Sequence, residues 1–97
     1  MTLKEYIDGQ VPTLIDFSAD WCGPCHVLSP IVKDVKRKFG GKVNILKVDV
    51  DKNRPLALLY NIQMVPTLIL FKAGNVLWRQ SGVMPAEQLY MTVARYV

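Results

Sequence analysis

The chain has 97 residues, of which 51% are hydrophobic and 21% are charged. These proportions exclude an intrinsically disordered chain and are typical of one globular domain, which we assign to residues 1–97. The 12 Lys and Arg residues exceed the 8 Asp and Glu residues, which gives a net charge of +4. We attribute the basic segment 33–42 to a solvated helix face and therefore predict neither nucleic acid nor a membrane as a partner.

The sequence contains no candidate membrane-spanning segment. Its longest apolar stretch, residues 64–71, is broken by Pro66 and Thr67 and is much shorter than the ~20 residues that a spanning helix needs. The N-terminal residues include several charges and lack the apolar core of a signal peptide. We therefore expect a cytoplasmic protein.

The first predicted elements are a short helix and a strand. Thr2 and Glu5 have the spacing of a capping box, which starts a helix over residues 2–9, and Gly9 suits its end. Residues 13–17 are mostly apolar, which is typical of a strand that is covered on both faces.

A second, longer helix is predicted over residues 24–39, before the pair Gly40-Gly41. Pro24 suits the first turn, whereas Pro30 lies in the interior and is expected to kink the helix. Apolar residues at helical spacing mark the inward face. They are Val27, Leu28, Ile31, Val32, Val35 and Phe39.

The remaining predicted elements are a strand over 43–50, a loop and short helix within 51–60, a hairpin of strands 67–72 and 76–80 around the turn 73–75, and a helix over 85–96. Inward positions on the last helix are Leu89, Val93 and Tyr96, or Tyr90 and Ala94. A strand–helix–strand unit predicts parallel strands joined by a crossover, and the hairpin adds antiparallel ones. The sequence therefore predicts an α/β fold, with a mixed sheet covered by helices on both faces.

Cys22 and Cys25 are the only cysteines, at C-x-x-C spacing where a strand passes into a helix. A structural disulfide closing so short a loop contributes only about 2 kcal/mol. A zinc site lacks ligands, because His26 is the only histidine and there is no second cysteine pair. Cys-x-x-Cys-His also matches the haem-attachment motif, but the strand-to-helix context argues against it. These three interpretations stay open as minor alternatives.

Redox catalysis explains more of the pattern. The backbone N–H groups and the dipole at a helix N-terminus favour thiolate over thiol. From position alone, Cys22, just outside the helix, is predicted to be the exposed attacking thiol. Cys25, one turn inside, is predicted to be the buried resolving thiol. This chemistry requires neither a metal nor a cofactor.

The segment Trp21-Cys22-Gly23-Pro24-Cys25 resembles the active site of the thioredoxin family, and the similarity extends over nearly the whole chain. The further matching positions are Asp16-Phe17, Pro30, Val65-Pro66-Thr67, Phe71-Lys72-x-Gly74 and Gly82. The resemblance implies a three-layer α/β/α thioredoxin-like fold. It also implies reduction of protein disulfides through a mixed disulfide.

The resemblance implies specific roles for several residues. Cys22 is the nucleophile and Cys25 the resolving thiol, and Pro66 follows a cis peptide bond with Val65 before it. The residues expected to contact the substrate are Trp21, Gly23, Pro24, Val65, Pro66 and Gly82. We expect His26 to be an exposed helix residue.

Asp16 is a carboxyl group within an apolar strand, where an unpaired charge costs several kcal/mol. The resemblance implies that it is a buried acid near the resolving cysteine and that Lys47 is its neighbour. We predict that Asp16, with its pKa raised by desolvation, accepts the proton of Cys25.

The sequence departs from the family at its start, because the first predicted strand begins as early as Thr13 and the strand that usually precedes the first helix is missing. The sheet is therefore predicted to have four strands, with residues 43–50 as an exposed edge. Expected partners are disulfide-containing proteins and a thioredoxin-reductase-type electron donor. We expect the protein to be a monomer or to form a weak dimer through that edge. The alternative functions are a dedicated electron donor to one enzyme and a non-catalytic binding or scaffold module with the same fold.

Overall fold

The computed structural model describes all residues from Met1 to Val97. Its elements, in chain order, are α1 (Leu3–Asp8), β1 (Thr13–Ser18), α2 (Gly23–Phe39), a 3-10 turn (Gly40–Lys42), β2 (Asn44–Asp49), α3 (Arg54–Leu59), β3 (Thr67–Lys72), β4 (Asn75–Ser81) and α4 (Ala86–Ala94). Every predicted helix and strand is present, with bounds that differ by a few residues at most.

Local sequence signals account for the ends of the helices. The predicted capping box is formed: the Glu5 backbone N–H donates to Thr2 Oγ1, and the Thr2 backbone N–H donates to Glu5 Oε1, both at 3.2 Å. Helix α2 continues through Pro30 and ends at Gly40, whose φ of +57° lies in the left-handed region. No helix is long and apolar enough to cross a membrane.

The four strands form one mixed sheet in the order β2-β1-β3-β4. β1 pairs with β2 in parallel, whereas β1 with β3 and β3 with β4 are antiparallel. The prediction of a mixed four-stranded sheet is therefore confirmed. β2 and β4 are the two edge strands.

Helices cover both faces of this sheet. Leu14 of β1 belongs to a cluster with residues of α2 and α4, whereas its neighbour Ile15 points to the opposite face, in a cluster with Ile7 of α1. All six residues of β1 are buried. The alternation places Asp16, like Leu14, on the face that α2 covers.

Two predicted core positions are wrong. Val27 is exposed because the inward stripe of α2 consists of Leu28, Val32, Val35 and Phe39, and Val27 lies to one side of it. Tyr96 is exposed because α4 ends at Ala94, so the residue does not continue the helical face. Leu89 and Val93 are buried as predicted.

Candidate active site

Cys22 and Cys25 lie at the start of α2 and are joined by a disulfide bond. Cys22 is the N-cap residue, and its Sγ accepts a hydrogen bond from the backbone N–H of Cys25 at 3.2 Å. The Cα atoms are 5.3 Å apart. The predicted placement at a helix N-terminus is confirmed, and one backbone N–H of the first turn, that of Cys25, faces the sulfur of Cys22.

The predicted exposure of Cys22 is wrong for this disulfide state. Cys22 is only 4% exposed and Cys25 only 1%. The reason is packing: the two cysteines form a small cluster with Ala19, against which Val50 and Val65 also pack. The Cys22 Sγ lies 3.6 Å from the carbonyl oxygen of Val65, so the chain segment before Pro66 covers it.

The Val65–Pro66 peptide bond is cis, as the resemblance implied. Contacts with the far end of β4 hold this segment in place. The Gly82 backbone N–H donates to the Pro66 carbonyl at 2.9 Å, and Gly82 has a φ of +92° that favours glycine. Gly82 is therefore bonded to the segment whose Val65 packs against the cysteine pair.

Trp21 is exposed rather than part of the core. Its indole Nε1–H donates to Asp51 Oδ2 at 2.8 Å. Together with one polar and four apolar residues, Trp21 lines a pocket of about 390 Å³ beside the cysteine pair. The other lining residues are Val50, Ile62, Gln63, Met64 and Val65.

Gly23 and Pro24 form the exposed first turn of α2 between the two cysteines. A Cβ atom added at Gly23 would meet no atom within 4 Å. The surface in front of the disulfide is therefore open on this side. His26 is exposed as expected, and its Nε2 lies 2.8 Å from the Asp20 carbonyl oxygen, to which it donates.

Asp16 is 1% exposed, and its Oδ1 has no hydrogen-bond partner. Burial raises the pKa of Asp16 from 3.8 to about 6, and the charge of Lys47 opposes this shift. The two residues are register partners on β1 and β2, but they form no ion pair. The structure therefore shows a buried acid with Lys47 as its neighbour, as expected.

A pocket of about 170 Å³ between α2 and β2 reaches Asp16. Ser29 and Lys33 of α2 and Lys47 of β2 are among its lining residues. Asp16 therefore lies beneath α2, the helix that carries Cys25 in its first turn.

The structure thus brings Cys22, Cys25 and Val65 together, and Trp21 shares a pocket with Val65 beside them. Asp51 and Met64 are also at this site, but the sequence analysis missed both. Asp51 starts a polar segment that has no distinguishing pattern, and Met64 gave no signal beyond its place before Val65-Pro66.

The Thioredoxin family model matches residues 2–95 of the chain. Thioredoxin 1 of Nostoc sp. is 36% identical over 94 residues, which cover 97% of this chain and 88% of that protein. Thioredoxin 1 of Chlorobaculum tepidum is 38% identical over 97 residues, covering 99% of this chain and 96% of that protein.

Solved structures of thioredoxins have the same architecture. Chloroplastic thioredoxin z superposes with a TM-score of 0.86 at 34% identity, covering 96% of this chain and 85% of that one. A mutant thioredoxin from Halobacterium salinarum gives a TM-score of 0.84 at 34% identity, covering 96% of this chain and 80% of that one.

These similarities, together with a C-x-x-C pair joined by a disulfide at a helix start, establish the activity. The protein is a thiol–disulfide oxidoreductase that reduces protein disulfides, and its partners are disulfide-containing proteins and a reductase that supplies electrons. The chain belongs to the thioredoxin family.

Proposed function

We propose that Cys22 is the nucleophile that attacks the substrate disulfide and that Cys25 resolves the resulting mixed disulfide. In the first step the Cys22 thiolate bonds to one substrate sulfur, the substrate S–S bond breaks, and the departing thiolate takes up a proton. In the second step Cys25 loses its proton and bonds to Cys22 Sγ, which releases the other substrate sulfur. The substrate gains two electrons and the Cys22–Cys25 disulfide is formed.

The observation that carries this assignment is the N-cap position of Cys22. Its sulfur accepts the Cys25 backbone N–H at 3.2 Å, and the dipole of the 17-residue helix α2 also favours negative charge there. Cys25 sits inside the first turn and is buried at 1% exposure, which suits a thiol that reacts within the protein rather than with the substrate disulfide. The same stabilisation makes Cys22 a good leaving group when the donor reduces the disulfide.

Asp16 is proposed to accept the proton that Cys25 loses in the resolving step. A group with a pKa of about 6 is mostly ionised at neutral pH, yet binds a proton more readily than an ordinary carboxylate does. Its unpartnered Oδ1 supports this role, because no hydrogen bond has to be broken before a proton binds. Lys47, by lowering the pKa of Asp16, would keep the carboxyl ionised between turnovers.

The substrate is proposed to bind as an extended segment across the surface beside Cys22. The carbonyl oxygen of Val65 lies next to the reacting sulfur and would accept a hydrogen bond from the backbone of a bound peptide. Side chains of the substrate would lie on the open surfaces around this point. The proposed contacts are Trp21, Gly23, Pro24, Val65, Pro66 and Gly82.

We further propose that the chain is chiefly a monomer. The outer edge of β2 is unpaired, but Lys47 in this strand places a positive charge there, which discourages edge-to-edge pairing. Any weak dimer would pair the β2 strands of two copies, and sedimentation equilibrium with Lys47→Gln as a comparison would reveal it.

Trapping of the mixed disulfide tests the assignment of the two thiols. The Cys25→Ser variant is expected to accumulate substrate bound to Cys22, because the resolving thiol is absent. The matched Cys22→Ser variant should trap little. Accumulation in Cys22→Ser alone would reverse the assignment.

A further inference from the structure

Met64 places a thioether sulfur in the wall of the pocket beside the disulfide. The residue is 64% exposed, and it lines this pocket together with Trp21 and Val65. Five of the six lining residues are hydrophobic. An oxygen atom added to Met64 would therefore change the polarity of a mostly apolar surface.

The backbone of Met64 is anchored at the rim of this pocket. Its carbonyl accepts a hydrogen bond from Thr67 Oγ1 at 2.6 Å, and the same hydroxyl lies 2.8 Å from Ser81 Oγ at the end of β4. Val65, the next residue, packs against the cysteine pair. The Met64 side chain is thus attached to a fixed point beside Cys22.

We propose that Met64 is an oxidative modification site, whose conversion to the sulfoxide by peroxide weakens the binding of protein substrates. The sulfur lone pair attacks one peroxide oxygen, the O–O bond breaks, and water leaves after proton transfer. The sulfur is oxidised by two electrons and the peroxide is reduced. The consequence for binding rests on the proposed substrate contacts around Trp21 and Val65.

The disulfide state favours reaction at Met64 over reaction at the cysteines. Cys22 and Cys25 are bonded to each other and are 4% and 1% exposed, so neither offers a thiolate to the oxidant. Met64 is accessible in the same state. Oxidising conditions, which hold the protein as the disulfide, are the conditions in which this thioether reacts.

The sulfoxide is a strong hydrogen-bond acceptor, and an apolar substrate side chain that covered it would displace the water bound to its oxygen. Desolvation of a polar group without a new partner is unfavourable, and we expect KM for a protein disulfide to rise about fivefold or more. The rate with a small disulfide, which reaches Cys22 without covering the pocket, should change little.

The test treats the oxidised protein with hydrogen peroxide, removes the peroxide with catalase, and measures KM for insulin and for oxidised glutathione. Peptide mass spectrometry locates each added oxygen. Met91, at 57% exposure, lies in another pocket on α4 and provides a matched control. Treated and untreated samples are compared within the wild type, Met64→Leu and Met91→Leu.

We expect peroxide to raise KM for insulin in the wild type and in Met91→Leu, but not in Met64→Leu. An equal rise of KM in Met64→Leu overturns the proposal. So does a wild-type sample in which Met91 is oxidised and Met64 is not, or one in which Met64 is oxidised and KM for insulin is unchanged. Failure of the proposed function would give a different result. If Cys22 is not the nucleophile, the Cys22→Ser variant still reduces insulin before any peroxide treatment.

Discussion

The guanidinium of Arg79 on β4 donates to the backbone carbonyl of Asn61, 2.8 Å away, and also to that of Tyr60. These carbonyls lie just beyond the end of α3, which has six residues, none of them buried. Asn61 has a φ of +52°, so the chain leaves the helix sharply there. Arg79 supplies partners for groups that a helix end leaves unsatisfied, and it fixes the start of the segment that leads to Met64 and Val65.

Replacement of Arg79 by Ala should therefore loosen the segment that lines the substrate pocket. We expect the free energy of unfolding to fall by about 1–2 kcal/mol, because two hydrogen bonds to a charged donor are lost. KM for a protein disulfide should rise, with little change in the rate for a small disulfide. Arg79→Lys should recover only part of the effect, because one ammonium group lacks the planar fork.

Arg95→Ala is the control, since Arg95 is exposed and its side chain makes no hydrogen bond. Urea unfolding and steady-state kinetics of the three variants check the expectation. Equal KM values for Arg79→Ala and Arg95→Ala would show that Arg79 does not position the segment.

The raised pKa of Asp16 predicts a pH-dependent stability. Between about pH 4 and pH 6 the folded protein retains a proton on Asp16 that the unfolded chain has released. The free energy of unfolding therefore falls as pH rises through this window. The loss reaches about 3 kcal/mol at most and is complete above pH 6. Asp16→Asn removes it, so this variant should be more stable than the wild type at pH 7 and similar near pH 4.

Urea unfolding of the oxidised protein from pH 4 to pH 7 measures this difference. Lys47→Gln is a useful comparison, because the Lys47 charge lowers the pKa of Asp16. Removing that charge should make the free energy of unfolding fall further as pH rises. A constant difference between wild type and Asp16→Asn across the range would mean that Asp16 does not titrate there.

Asp16 also predicts a pH-dependent rate for the resolving step. The carboxylate accepts a proton only when ionised, so the wild-type rate should rise as pH passes about 6. Asp16→Asn should resolve mixed disulfides more slowly and should lack this rise. Single-turnover kinetics with a preformed mixed disulfide isolate the step, and identical rates for both proteins from pH 6 to pH 8 would contradict the role.

Local patterns in the sequence are sufficient to predict the fold. The Thr2–Glu5 capping box and the apolar strand 13–17 depend on neighbouring residues, and both are found as expected. Contacts between distant segments are not predictable in this way. Arg79 with Asn61 and Trp21 with Asp51 join residues that no local pattern connects.

The predicted exposure of Cys22 is wrong for the same reason. Its position outside the helix is correct, but its burial depends on Val65, which the chain before β3 brings from far along the sequence. The redox state matters as well, because the bond ties the Cys22 sulfur to Cys25, which is itself only 1% exposed. By contrast, the burial of Asp16 is predictable, since both its sequence neighbours belong to a strand that is apolar on both faces.

Gly82 offers a test of how strictly the substrate surface is held. Its φ of +92° is unfavourable for any residue with a Cβ atom, and its N–H donates to the Pro66 carbonyl at 2.9 Å. A Cβ at this position would meet no atom within 4 Å, so the cost of Gly82→Ala is backbone strain alone, about 1–2 kcal/mol. We expect a loss of stability of that size and a higher KM for protein disulfides, because relief of the strain moves Pro66 and Val65.

Gly41→Ala is a matched control: its Cβ also meets nothing within 4 Å, but Gly41 has no positive φ and lies at the opposite end of α2. If both substitutions change KM and the free energy of unfolding equally, the backbone of Gly82 has no special part in holding the surface beside Cys22.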